Sequence, residues 1–287
     1  MSTAAPTSPP SAELTARDVA SELEASKQPA LPDGHPQAEV PAGDRLLDGM
    51  VMDAAEFRRR WNAIEAATDR EFRAELIFGT VSVTAPPDLD SHSVPDSLIG
   101  GLLLAYAART PGVRSASNGA VVYRSHSLAA PDQMLFIEPE CGGQVQRDRD
   151  GKRTGVPELV VEIANTSMSR DLTTKRIFYE EAGVREYLVY LVPRGRFMLF
   201  TRAAAADEPQ DATRDLVERS TADPVFAGQV FRSVVFPGLV IDCGQVIAED
   251  IAGALATLES GLSTPEHAEF LETLAVRRAG EDRDTTS

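Results

Sequence analysis

The apolar positions of the chain change period several times, and each change predicts a different element. In MDAAEFRRRWNAIEAA, Phe57, Trp61 and Ile64 recur at helical spacing behind Asp53, a candidate N-cap. RAELIFGTVSVTAP switches to alternation, with Leu76, Val81 and Val83 flanking a turn at Gly79, which predicts a strand pair. A second helix is expected over SHSVPDSLIGGLLLAYAART, with Pro95 in its first turn, Leu98, Leu102 and Ala105 on its apolar side, and a stop before Pro111-Gly112. SNGAVVYRS and DQMLFIEP read as strands, and PELVVEIA as a stronger one. SRDLTTKRIFYEEAG reads as a helix that starts at Ser169 and ends at Gly183. VREYLVYLVP and RGRFMLFTR predict a hairpin around Arg194-Gly195, and FRSVVFPGLVID returns to β character. AEDIAGALATLESGL and PEHAEFLETLAVRRAG read as closing helices. Residues 141–156 and 203–224 lack periodicity and read as loops.

This order, a helix, then a β-rich centre with one embedded helix, then helices, predicts an α/β (α+β) fold with a central mixed β-sheet flanked by helices. Residues 1–45 are rich in Ala, Pro, Ser and Glu and hold little that could offset the entropy of ordering, which predicts a disordered N-terminal tail. The ordered domain is expected over 46–265, with a C-terminal helix and frayed end over 266–287.

Composition changes this picture little. The 287 residues are 43% hydrophobic, ordinary for a globular chain, and no apolar run approaches the roughly 18–20 residues of a membrane-spanning helix. The start of the chain lacks a secretory pattern, and Cys141 and Cys243 are the only cysteines, so the expectation is a cytoplasmic protein without a disulfide framework or zinc cluster. Charge matters more. The net −16 opposes long-range attraction to nucleic acid, although seven of the acids lie in residues 1–45, against three bases there.

Candidate chemistry centres on two acids. In PELVVEIA the alternation puts Leu159, Val161 and Ile163 on one face and Val160, Glu162 and Ala164 on the other, so Glu162 is expected on a buried face. A buried carboxylate is protonated, paired or metal-bound. Asp132 opens the preceding strand, and a return through 141–156 would place the two strands side by side. Paired carboxylates with oxygen-only ligation suit Mg²⁺ or Mn²⁺. Asp171, Lys175 and Tyr179 share a helical face, and a lysine beside a metal-bound water can stabilise charge at a phosphorus transition state. Residue types alone leave another reading open: Glu162 as an ordinary strand acid and Asp171–Lys175 as an i, i+4 surface pair. The basic loop with Arg147, Arg149, Lys152 and Arg153 also contains Asp148 and Asp150, and reads as a solvated tip that could touch a phosphate backbone. His35, His126 and His267 are scattered and show no ligand spacing.

The run PDQMLFIEPECGGQ, GVPELVVEIANTS and RDLTTKRIFYEEAGVREYLVY, with AELIFGTVSVTAPP before it and FPGLVID after it, resembles the Uma-two family, a large bacterial group with the restriction-endonuclease-like PD-(D/E)xK fold. The likeness spans roughly residues 50–265. It implies that Asp132 is the motif aspartate and Glu162 the acid of the second half-motif. The lysine expected two positions later is replaced by Ala164, and the resemblance points instead to Lys175 in the following helix. It further implies that Glu75 is an additional acid near the metal, that Tyr179 supports the lysine, and that His92 faces the site. Asn165-Thr166 stands where the family often has Ser-Pro.

Together these readings predict a Mg²⁺- or Mn²⁺-dependent endonuclease acting on DNA, with Asp132 and Glu162 as metal ligands, Lys175 positioning water and Glu75 assisting. The alternative is a binding or assembly protein on the same fold with little or no catalysis, favoured by the net charge. Homodimerisation is expected on base rates.

Overall fold

A computed structural model describes residues 37, 40–67, 73–84, 88–122, 127–149, 151, 153–202 and 215–284. The predicted tail over residues 1–36 lies outside the described residues. Its proposed boundary at 45 falls within a packed segment, because Val40 and Leu46 are buried against the first helix and strand pair.

Helix α1 (Ala54–Ala67) follows Asp53, whose carboxylate accepts the Glu56 N–H at 2.8 Å, the expected cap. Strands β1 (Arg73–Ile77) and β2 (Thr80–Thr84) form the predicted hairpin, and they extend into a small sheet of order β2-β1-β5-β4 with β4 (Val121–Val122) and β5 (Leu128–Ala129). Helix α2 (Val94–Arg109) carries Pro95 in its first turn. Its core face is Ile99, Leu102, Leu103 and Tyr106, while Leu98 and Ala105 are only partly buried.

The central sheet has the order β12-β11-β10-β9-β6-β3. Its strands are β3 (Val113–Ser117), β6 (Gln133–Ile137), β9 (Leu159–Ala164), β10 (Glu186–Leu191), β11 (Arg196–Arg202) and β12 (Leu216–Arg219). Only β9–β10 is parallel, so the sheet is mixed, as expected. Every residue of β9 and β10 is buried, which is why both read as continuous apolar runs. A second short hairpin, β7 (Gln146–Arg147) and β8 (Arg153–Thr154), sits inside the region read as loop.

Three expectations need correction. The 203–224 excursion contains β12, an edge strand whose LVER pattern is too short to show a period, with Leu216 alone fully buried. Strand β3 was not predicted, because VRSAS is a polar edge strand paired on one side only. The strand expected over SNGAVVYRS reduces, among described residues, to β4 and the end of β3.

The crossover from β9 to β10 holds α3 (Met168–Arg170) and α4 (Arg176–Ala182), and one face of the central sheet packs against α2 and the C-terminal elements: β13 (Val230–Arg232), β14 (Val240–Asp242), α5 (Cys243–Ile247), α6 (Ile251–Leu262) and α7 (Pro265–Asp284). The other face packs against the helical segment 168–182 and the small sheet. No helix among the described residues is long and apolar enough to cross a membrane. His267 is buried between the Thr110 hydroxyl and the Leu262 carbonyl, a structural role; His35 and His126 lie outside the described residues.

Glu186, at the start of β10, is buried and accepts hydrogen bonds from the Val234 N–H at 2.8 Å and from the Ser233 hydroxyl. Burial pushes its carboxyl up to about 7. The unfolded chain ionises this group near its ordinary 4.5 while the folded chain keeps the proton, so its contribution to stability is full below that value and is lost as pH rises through about 7. Glu186→Gln is expected to match wild type near pH 4.5 and to exceed it by about 2–3 kcal/mol near pH 7.5, read by urea denaturation at both pH values.

Candidate active site

Topology alone brings the candidate residues together. A parallel pair cannot be joined by a tight turn, so β9 reaches β10 through a crossover, and that crossover is the segment 168–182. The crossover packs on the face that carries Val160 and Ala164, and alternation puts Glu162 on that same face. On the other side of β9, the antiparallel ladder pairs Gln133 with Val161, so one step further sets Asp132 opposite Glu162. Asp132 is held there by the Ile163 N–H, which donates to its Oδ2 at 2.8 Å. Strand β1 covers the cluster from above: Ala74 and Leu76 turn away into their own core, leaving Glu75 and Ile77 on the side facing the central sheet.

The Lys175 ammonium sits among three carboxylates: 3.0 Å from Glu162 Oε1, 3.1 Å from Glu75 Oε2 and 3.7 Å from Asp171 Oδ1. Tyr179 donates its hydroxyl to the same Glu162 oxygen at 2.7 Å. His92 Nε2 lies 3.2 Å from Asp132 Oδ1. Glu75 is fixed by the Ala130 N–H, 3.0 Å from its Oε1. Asp171 is 2% exposed and Lys175 5%, which rules out the surface-pair reading of these two residues. Every residue expected at the site, Glu75, His92, Asp132, Glu162, Lys175 and Tyr179, belongs to this one connected cluster.

Two π-helical turns shape it. One, Asp171–Lys175, joins α3 to α4, and both of its end residues are buried. The residue at the N-cap position of this segment is Ser167 rather than Ser169, and its hydroxyl bonds to the Asp171 carboxylate. Gly183 ends the segment at φ 107°, a left-handed conformation that suits glycine. The other π turn, Leu89–Ser93, presents His92 and is capped by Asp88, which accepts from the Ser91 N–H at 2.8 Å. Asn165 ties the two regions by donating to Ser91 Oγ at 2.6 Å. Such insertions are frequent at functional sites.

The electrostatics are those of a crowded anionic pocket. Burial pushes Glu162 well above the usual carboxylate range; the Lys175 charge opposes this, and the charges of Asp132, Asp171 and Glu75 add to it. Burial likewise raises Asp171. Burial also acts to raise Asp132, but the His92 hydrogen bond and the charges of His92 and Lys175 outweigh it and hold this carboxyl low. The hydrogen bond to Asp132 raises His92. Burial opposes the Lys175 charge, yet its three carboxylates hold the ammonium charged above its ordinary range. Asp132, Glu162 and Asp171 act on one another strongly enough that their protons are shared among the three rather than lost independently.

The sequence did not single out the rim. Arg170 lies 3.8 Å from Glu75 Oε2 and bonds the Ser82 hydroxyl, and Arg73 lies 3.9 Å from Asp132 Oδ1. Neither belongs to a periodic or spaced motif, so only the fold reveals them. In the basic loop, Arg147 and Arg153 fold back onto Glu138; Lys152 lies outside the described residues.

Among the described residues, no group of three or more His, Cys, Asp or Glu side chains is already arranged as a metal site. The donor chemistry nevertheless suits a hard cation. Glu162 Oε2 and the buried Asp171 Oδ1 accept no hydrogen bond among the described residues, and Mg²⁺ needs only one or two carboxylates beside water and phosphate oxygens.

A mixed sheet that sets Asp132 beside Glu162, with Lys175 of the crossover paired to Glu162 and Glu75, defines an α+β protein with a buried cluster of acids around one ammonium. The chain matches the Uma2 family, described as "Putative restriction endonuclease", over residues 55–234, and it belongs to that family. Among solved structures it is similar to a crystal structure described as "a putative nuclease belonging to DUF820" from Anabaena variabilis ATCC 29413, at 16% identity over 65% of this chain and 97% of that one, with a TM-score of 0.42. No curated protein matches the chain.

Proposed function

We propose that the protein is a divalent-metal-dependent endonuclease that hydrolyses phosphodiester bonds of DNA, using a PD-(D/E)xK-type site in which the lysine has moved to the crossover helix. The observation that carries this reading is the buried Lys175 ammonium, 3.0 Å from Glu162 on the strand beside Asp132. Asp132 and Glu162 would hold Mg²⁺ or Mn²⁺, which when bound supplies a nucleophilic water at neutral pH and shields the phosphate charge.

The protein's own residues do the rest. Lys175 offers a fixed positive charge where charge builds on the phosphorus oxygens. Glu75 and Asp171 hold that ammonium in place, and Tyr179 orients Glu162 through its hydroxyl. His92 fixes the Asp132 carboxylate from outside. Arg73 and Arg170, on the rim with side chains 39% and 25% exposed, are placed to meet backbone phosphates in a chain whose net charge otherwise repels them.

The test is cleavage of supercoiled plasmid in Mn²⁺. Wild type is expected to nick and linearise it, and Asp132→Ala to lose at least about 10²-fold in rate. Equal background cleavage by the two proteins would remove the enzyme reading and leave a binding protein on this fold.

A further inference from the structure

The sheet face that carries Asp132 continues beyond the acids. Along β6 the same face presents Met134 and Phe136, and across the ladder Arg114 stands opposite Phe136. These three residues, with Gly119 from the turn after β3, Val121 from β4 and Arg153 from β8, line a cavity of about 510 Å³. At about 3.4 Å per residue, Phe136 lies roughly 14 Å along the strand from Asp132. The cavity therefore opens on the acid-bearing side of the sheet, within a few nucleotides' reach of the acids.

Its chemistry is divided. The floor is apolar: Met134, Phe136 and Val121 belong to the core cluster that also packs around Glu162's strand. The rim is cationic. Arg114 and Arg153 each lie 2.7 Å from Glu138, with side chains 64% and 40% exposed, and Arg147 lies 3.6 Å from the same carboxylate. Three guanidiniums face one buried acid there, and Glu140 also pairs with Arg147, so among these paired groups cations outnumber acids by three to two. The Arg153 guanidinium also lies 5.9 Å from the Phe136 ring centre.

We propose that this cavity is a nucleotide subsite that takes one unstacked base on the Met134–Phe136 floor while Arg114 and Arg153 hold a neighbouring phosphate. The preferred substrate is therefore single-stranded DNA or an unpaired segment, not intact duplex. In a duplex the flat faces of the bases are stacked inside and only their edges and the backbone are accessible, so a recessed apolar floor has no base face to take unless a base is released. The volume lies in the range of ordinary small-ligand pockets. The proposal rests on the nuclease reading for its purpose, but its binding test does not depend on cleavage.

The test is fluorescence anisotropy of the full chain, in EDTA, with labelled oligothymidine and with a blunt duplex of equal length. Wild type is expected to bind the single strand at least about tenfold more tightly. Gly119→Leu fills the cavity: a Cβ at this glycine meets the end of the Met134 side chain, its methyl at 3.2 Å and its sulfur at 3.8 Å, a flexible neighbour, and the melting temperature checks that the fold survives. This variant is expected to lose about 5- to 100-fold in oligothymidine affinity, the worth of one stacked base, with duplex binding unchanged. The exposed Arg153→Gln serves as a second variant and is expected to lower the salt dependence of oligothymidine binding by about 0.7 of a unit of slope, the share of one phosphate contact on a single strand. Equal binding of the two DNAs by wild type, or wild-type oligothymidine affinity in both variants, overturns the subsite. If the variants lose oligothymidine while Asp132→Ala cleaves plasmid like wild type, the subsite stands and the nuclease reading falls; the opposite pair of results leaves the nuclease without this substrate preference.

Discussion

Lys175→Met is expected to destabilise the protein by about 3–5 kcal/mol at neutral pH and to abolish cleavage. The methionine retains most of the lysine's apolar stem, so lost packing is a small part of this effect. What changes is charge: Glu75, Glu162 and Asp171, all buried, lose the ammonium that lies within 4 Å of each. Removing one partner from a buried ionic group costs more than the group contributes in net stability, because the remaining charges stay desolvated and unpaired. The sign of the pH dependence follows. The remaining carboxylates relieve their repulsion by taking up protons, and in the folded protein Glu162 and Asp171 already titrate above their ordinary range. The deficit against wild type should therefore shrink as pH falls toward 5. Urea titrations of both proteins at pH 5 and pH 7.5 measure this. A second substitution, Glu162→Gln, should return part of the stability at pH 7.5 and none of the activity. A loss under 1 kcal/mol that does not vary with pH would mean that the ammonium is not the centre of this charge network.

Much of this site was legible in the chain because its geometry follows from local rules. Strand alternation places Glu162 on the face of Val160 and Ala164, and both of those residues lie in the core on that face. The apolar runs at 133–137 and 159–164 pair in the fold as the expected return through 141–156 requires, and their register brings Asp132 opposite Glu162. The parallel pairing of β9 and β10 requires a crossover, and LTTKRIFYEEA is the only helical pattern between them. The parts that were not legible depart from those periods. The two π turns interrupt the 3.6-residue repeat: the face shared by Asp171, Lys175 and Tyr179 survives the first, whereas the placement of His92 by the second comes from the family resemblance and not from any period. Strands β3 and β12 lie at the sheet edges, where one side is unpaired and side chains can be polar, so VRSAS and LVER carry little hydrophobic signal. Arg73 and Arg170 approach the acids from separate elements, a proximity no spacing along the chain encodes.

Glu162→Gln is expected to separate stability from activity. The amide is nearly the same shape as the acid, and its oxygen can still accept from Tyr179 and Lys175, as Glu162 Oε1 does at 2.7 and 3.0 Å. Its amino group replaces Oε2, which accepts no hydrogen bond among the described residues, so no partner is lost there. The substitution gives up attraction to Lys175, but it also removes repulsion from Asp132, Asp171 and Glu75 and the cost of keeping a charge buried. These effects oppose each other, and unfolding free energy at pH 7.5 should change by less than about 1 kcal/mol. Activity has no such compensation. A neutral amide cannot serve as an anionic ligand beside Asp132, and Mn²⁺-dependent cleavage should fall by at least about 10²–10³-fold. Urea denaturation and plasmid nicking on the same preparation decide the matter. A variant that unfolds early and loses activity only in proportion would make Glu162 a structural anchor for Lys175. A variant that stays folded but inactive places the need for its charge in the chemistry, because stability would then have shown that the fold does not require it.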